Sequence, residues 1–245
     1  MRISIEGIKG VGKTTLLKLL NELGYHVHPI DSSGENIWSN LYYSNPEKYA
    51  LGYNLYILLE QINQRHHPNE IHIFENSPYT LHHIKSQILI KDNILDVAEA
   101  KLQEEIIDKW SWQPDCIIYL DCSPEVCLSR LEKSKDASHT ALTMPDLEEM
   151  SALAQQFDWV LDYSNCSIPV YRVNANDNII NVFYHVLQIL AQIKRHNLGL
   201  PQPNEKPIGI SSNNPMHLNR EATKSPLYSM LIRKTELLQQ ILEDE

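Results

Sequence analysis

The run Gly7-Ile8-Lys9-Gly10-Val11-Gly12-Lys13-Thr14 limits what this chain can be more than any other stretch of it. It fills every fixed position of G-x-x-x-x-G-K-[ST], a loop in which successive backbone amides curl around an anion. The chain has only eight glycines, yet Gly7, Gly10 and Gly12 fall within six residues, so backbone freedom is concentrated where such a cradle needs it. Before the loop, Arg2-Ile-Ser-Ile-Glu6 alternates and is β-branched; after it, Leu16, Leu17, Leu19, Leu20 and Leu23 recur at helical spacing. A loop between a strand and a helix gains the helix's N-terminal positive charge. Gly7, Gly10, Val11, Gly12, Lys13, Thr14 and Thr15 are therefore expected to hold the phosphates of ATP. Lys13 would sit on the β- and γ-phosphates, and the Thr14 hydroxyl would reach Mg²⁺. The loop does not choose the acceptor, which can be water, a hydroxyl or another phosphate.

Strand and helix patterns alternate along the rest of the chain. Strands are expected over Tyr25 to Ile30, Glu70 to Phe74, Asp115 to Leu120 and Ile168 to Val173. Helices are expected either side of Pro46 to about Arg65, and over Pro78 to Lys91, Ile94 to Trp110, Pro145 to Asp162 and Asp177 to about His196, with another opened by Ser123-Pro124-Glu125. The near-continuous apolar run Cys116 to Leu120 is of the kind a parallel sheet buries on both faces. The predicted architecture is α/β, with a parallel sheet of about five strands and helices on both faces.

Composition narrows the partners. Lys and Arg number 21 against 31 Asp and Glu, a net charge of −10, which argues against broad binding to nucleic acid or an anionic membrane. Four cysteines are spread without a C-x-x-C pair, and MRISIEG lacks a signal-peptide layout, so a cytoplasmic setting is expected, that of the host cell for a viral chain. Between 197 and 226, Pro201, Pro203, Pro207, Pro215 and Pro226 among Asn and Ser read as a linker. Leu227, Leu231, Leu238 and Ile241 then mark an amphipathic helix over 227–245, leaving 1–196 as the folded domain.

Over most of residues 1–195 the sequence resembles the deoxynucleoside kinase family, which includes viral thymidine kinases. The resemblance rests on Ile5-Glu6-Gly7 with the loop through Thr15, on Asn40 to Ala50, on Tyr53-Asn54, on Ile118-Tyr119-Leu120 with Ser123-Pro124-Glu125-Val126, on Asp158-Trp159-Val160 and on Val173-Asn174-Ala175. It implies a P-loop kinase fold and transfer of phosphate from ATP to the 5′-hydroxyl of a deoxynucleoside. Tyr43 matches a tyrosine that contacts the sugar, and Tyr53-Asn54 stands where an aromatic-glutamine pair reads the base. A stacking face, a hydroxyl and an amide suit a flat base, though packing on an amphipathic helix would use the same aromatics. Family members are often dimers, so a homodimer is among the states the resemblance implies.

Three departures bear on mechanism. After the third strand the family's acidic-Arg-Ser/His triplet stands as Glu75-Asn76-Ser77, which keeps a carboxylate able to bind Mg²⁺ and loses the arginine. The family's Glu-Pro after the second strand, with its glutamate beside the 5′-hydroxyl, stands as His28-Pro29, leaving Asp31 or His28 as base, with Asp31 slightly favoured and a structural role open for His28. The family's lid arginines are represented by Arg130, Lys133 and Lys135. The expected function is a thymidine-kinase-type deoxynucleoside kinase acting on thymidine or another pyrimidine, with Lys13, Asp31 and Arg130 catalytic. Tyr43, Tyr53, Asn54 and Glu75 would bind substrate, and Thr14 and Glu75 the metal. A thymidylate kinase and a nucleotide-binding fold without catalysis are the alternatives.

Overall fold

A computed structural model describes residues 1–30, 37–64, 67, 70–133 and 145–197. Asp31, Lys135, and the linker and terminal helix expected beyond residue 197 lie outside the described residues. The chain divides into two compact units, Met1–Ile189 and Leu190–Glu245. The described part of the second is the end of the last helix.

In chain order the elements are β1 (Arg2–Glu6), α1 (Lys13–Glu22), β2 (His26–His28), α2 (Ile37–Ser44), α3 (Pro46–Asn63) and β3 (His72–Glu75). The helical run that follows comprises α4 (Pro78–Thr80), a π-helix (Leu81–Ser86) and α5 (Gln87–Lys91). Then come α6 (Val97–Trp110), β4 (Cys116–Asp121), α7 (Pro124–Lys133), α8 (Leu147–Val160), β5 (Val170–Asn174) and α9 (Ile179–Asn197). The strands form one parallel sheet in the order β2-β3-β1-β4-β5.

β1 and β4, neighbours inside the sheet, are buried along nearly their whole length, as a sheet covered on both faces requires. Ile3, Ile5, Ile117 and Ile118 are fully buried, whereas the edge strand β2 is only three residues long and partly exposed. A short edge limits pairing with other chains. Tyr119 stacks on Phe157 of α8 at 5.4 Å between ring centroids. Midway along the edge strand β5, Arg172 pairs with Asp158 at 2.7 Å and lies over the Tyr119 ring.

Helix starts follow their capping residues. Asn45 accepts from the Lys48 amide with Pro46 in the first turn, and Asp96 and Asp146 each make a reciprocal capping box, with Glu99 and Glu149. The Asp96 cap starts α6 at Val97, three residues after the onset expected from apolar spacing. The single helix expected over Pro78 to Lys91 forms as one run interrupted by the π-helix, whose last residue, Ser86, donates its hydroxyl to Leu81 O at 3.0 Å.

Candidate functional site

β1 ends in the centre of the sheet, between β3 and β4, and the glycine loop leaves from that end. This is the carboxyl edge where open α/β sheets bind ligands. The loop leads directly into α1, whose N-cap is Gly12 at φ 103° with no side-chain cap. Where α3, α6 and α8 fill their N-termini with a capping side chain, α1 leaves its amides available to an anion. Lys13 folds back so that Nζ donates to Gly7 O at 2.9 Å and Ile8 O at 3.1 Å, stabilising the curl. Burial lowers its amine pKa against the attraction of Glu75 and Glu6.

Behind the loop, Arg130 of α7 donates to Val11 O at 3.3 Å, Ala175 O at 2.9 Å, Asn176 O at 3.4 Å and Asp177 O at 2.8 Å. It also reaches Cys122 Sγ at 3.7 Å. A guanidinium engaged this way braces the phosphate loop against the segment between β5 and α9. The sequence places Arg130 among the lid cations, and in the structure its planar donors are bound to backbone carbonyls. Lys133 stands exposed at the end of α7.

Thr14 and Glu75 meet as expected, with Thr14 Oγ1 donating to Glu75 Oε1 at 3.2 Å. Glu75 Oε2 accepts from the Ile30 amide at 3.3 Å, so one carboxylate joins the phosphate loop to the chain leaving β2. A hydroxyl and a carboxylate in contact beside an uncapped helix start fit Mg²⁺, which takes one or two protein oxygens and keeps waters and phosphate oxygens for the rest. Asn76, next in sequence, adopts φ 59° and is buried. Asn tolerates the left-handed region better than most side chains, which rationalises an amide at this position.

Glu6, the last residue of β1 before the loop, has an environment that the sequence did not reveal. It is fully buried and accepts from Ser77 Oγ at 2.8 Å and Thr80 Oγ1 at 2.9 Å. Burial pushes its carboxyl up to about 7, against the pull of those hydroxyls and of Lys85 and Lys13. Its sequence signal is an acid that ends the alternating strand β1 directly before the phosphate loop. Between pH 4.5 and about 7 the folded chain keeps a proton that the unfolded chain has released, so this group favours folding at acid pH and the benefit is lost as pH rises through about 7. Glu6→Gln should remove that slope, stabilising the protein at pH 8 by up to about 3 kcal/mol and little at pH 4.5. Thermal melts across pH check it, and an unchanged slope contradicts it.

The acceptor-side residues are only partly gathered. Tyr43 on α2 lies near the loop, with Lys9 Nζ 5.8 Å from its ring centre. Tyr42 stacks on Tyr53 at 5.0 Å and meets Tyr43 edge-on at 5.3 Å. Burial, with the neighbouring tyrosines, pushes Tyr42 and Tyr53 up to about 12, so both stay neutral hydroxyls. Asn54 differs from expectation: it is buried, and its Nδ2 donates to Ser86 Oγ at 3.4 Å and Gln103 Oε1 at 3.3 Å. Its amide nitrogen ties α3 to the π-helix and α6. His28 takes the structural role left open for it. Its Nε2 lies 2.9 Å from His72 Nδ1, and its ring stacks on Phe74 at 4.4 Å. Because His72 Nε2 accepts from the His67 amide, the shared proton belongs on His72 Nδ1 when that ring is neutral, and His28 Nε2 is the acceptor.

Comparison with known proteins agrees with this geometry. The deoxynucleoside kinase family profile matches residues 3–197. A putative kinase, 029R, of Invertebrate iridescent virus 3 is 27% identical over 200 residues, covering 79% of this chain and 97% of the viral protein. The deoxyadenosine kinase of Dictyostelium discoideum is 25% identical over 221 residues, covering 80% of this chain and 84% of that enzyme. Among solved structures, deoxyadenosine kinase from M. mycoides with bound dCTP superposes with a TM-score of 0.66 at 20% identity, covering 78% of this chain and all of that one. With an intact phosphate loop, a five-stranded parallel sheet in 2-3-1-4-5 order and a family match across four fifths of its length, the chain belongs to the deoxynucleoside kinase family.

Proposed function

We propose that the protein transfers the γ-phosphoryl group of ATP to the 5′-hydroxyl of a deoxynucleoside. The observation that carries this reading is the Glu75 bridge, which links the phosphate-loop Thr14 to Ile30 at the end of the chain leaving β2. On this reading it would join the donor side of the site to the acceptor side through one carboxylate. Lys13, held over the loop, would neutralise charge on the β- and γ-phosphates, and the uncapped start of α1 would add amide donors. Thr14 and Glu75 would hold Mg²⁺, which would supply positive charge against that developing on the phosphates.

In the transfer, the acceptor oxygen forms a bond to the γ-phosphorus as the bond to the ADP oxygen breaks. We assign the hydroxyl proton to Asp31, the residue after Ile30, because His28 Nε2 is engaged with His72. Phosphoryl transfer depends more on positioning and charge neutralisation than on the base, so an Asp in place of the family's glutamate is compatible with turnover. Tyr43, Tyr53 and Asn54 Oδ1 would receive the nucleoside, and a pyrimidine suits the shortened amide. The relatives named as deoxyadenosine kinases bring a purine into the comparison.

The test is a coupled transfer assay of the full chain with Mg-ATP against thymidine, deoxycytidine, deoxyadenosine, deoxyguanosine and thymidylate. Turnover of a nucleoside, fastest with a pyrimidine, is expected. Transfer to thymidylate alone would replace the reading by a monophosphate kinase. ATP binding with no transfer to any acceptor would leave a nucleotide-binding module.

A further inference from the structure

The chain lacks an arginine where the resembling family carries one beside the metal-binding carboxylate, and Asn76 cannot supply positive charge there. Around the loop, the described cations are largely engaged. Arg130 is fixed to backbone carbonyls, Lys13 to Gly7 O and Ile8 O, and Lys9 lies over the Tyr43 ring. Lys85 of the π-helix is different. Its side chain is half-buried, its ammonium feels Glu6, Glu75 and Lys13, and among the described residues it makes neither hydrogen bond nor ion pair.

The π-helix explains how Lys85 comes to this place. At 3.6 residues per turn, residues five apart lie roughly 140° apart around a helix, so a regular α-helix would turn Lys85 well away from Thr80. The i→i+5 repeat of a π-helix brings residues five apart back to one face. Thr80 donates to buried Glu6, and the wider turn that follows carries Lys85 round toward that side of the run, where Glu6 and Glu75 act on its ammonium. Desolvation lowers the ammonium pKa, as does Lys13, while Glu6 and Glu75 hold it up.

We infer that Lys85 is a second catalytic cation of the transfer site, taking the place left by Asn76 and contacting the oxygens of the γ-phosphoryl group on the acceptor side of Lys13. This rests on the kinase reading above. As the acceptor oxygen bonds to phosphorus and the ADP oxygen departs with its electron pair, charge spreads over the transferred group. Lys85 keeps its protons throughout and neutralises that charge, and the hydroxyl proton still goes to Asp31.

The experiment compares wild type, Lys85→Met and Lys85→Arg in transfer kinetics, and follows the Glu6 carboxyl by carbon NMR across pH in the nucleotide-free protein. K85M should lose at least 100-fold in kcat while KM for ATP stays within threefold, and its Glu6 midpoint should rise above that of wild type. K85R should keep more than a tenth of wild-type kcat, and this arm decides the matter if K85M does not fold. Wild-type-like kcat in K85M, an unmoved Glu6 midpoint, or K85R as inactive as K85M would each overturn the assignment of Lys85 while leaving the kinase reading intact. A wild-type chain that transfers phosphate to no acceptor would overturn the kinase reading itself, and the Lys85 role with it.

Discussion

A Lys13→Ala protein should fold, melt near the wild-type temperature and transfer phosphate at least about 10³-fold more slowly, since losing one preorganised donor at a developing charge already costs 10²–10³ in kcat. Lys13 has two tasks, and alanine removes both. In the nucleotide-free loop its Nζ holds the Gly7 and Ile8 carbonyls, and with ATP bound it is the cation assigned to the β- and γ-phosphates. The fold has little need of it, because the sheet around the loop is carried by Ile3, Ile5, Ile117 and Ile118. Steady-state kinetics with a thermal melt on the same sample separates the two effects. Full turnover in Lys13→Ala would sink the site assignment, and a collapse in melting temperature would show that the lysine is structural.

Gly10→Ala should cause the largest loss of stability from any single methyl group in the loop. A Cβ at Gly10 would lie 2.5 Å from Cys127 O and 2.8 Å from Leu131 Cγ, and the residue sits at φ 82°. The oxygen belongs to the α7 backbone, which cannot yield as a flexible side-chain end can. Left-handed strain costs about 1–2 kcal/mol and overpacking about 1–3 kcal/mol, so a loss of about 2–5 kcal/mol is expected. For a domain of this size that is a fall of roughly 4–20 °C in melting temperature. Gly12→Ala makes the contrast, because its added Cβ meets only Ile179 Cδ1 at 3.5 Å and the penalty is left to the backbone at φ 103°. Equal melting temperatures for the Gly10→Ala and wild-type proteins would show that α7 does not press on the loop as described.

Much of the fold was legible because its signals are local. Alternation in β1, the apolar run of β4 and the leucine spacing of α1 each lie within a few residues, and the capping side chains of α3, α6 and α8 fix where those helices begin. The phosphate loop is also local, since its function is carried by consecutive backbone amides. The Thr14–Glu75 contact was legible for a different reason: a carboxylate at the end of a strand is a strong expectation once a parallel sheet is granted.

The roles of Arg130, Asn54, His28, Glu6 and Lys85 were not legible in that way. Lysine and arginine look alike in a charged helix end until their partners are known, and Arg130 proves to be a brace because Ala175 O and Asp177 O, more than forty residues away, lie within its reach. Asn54 could face a ligand or the interior, and Gln103 on α6 settles where its amide nitrogen points. Sequence periodicity places Lys85 by 3.6-residue turns, whereas a π-helix widens the turn that carries it, and Glu6 acts on its ammonium. The sequence alone determined the order of strands and helices and the chemistry of the glycine loop, because short-range backbone preference and consecutive amides suffice for both. Only the tertiary structure decided which charges are desolvated and which are paired, because burial and Coulomb attraction depend on distances between residues that the chain order keeps far apart.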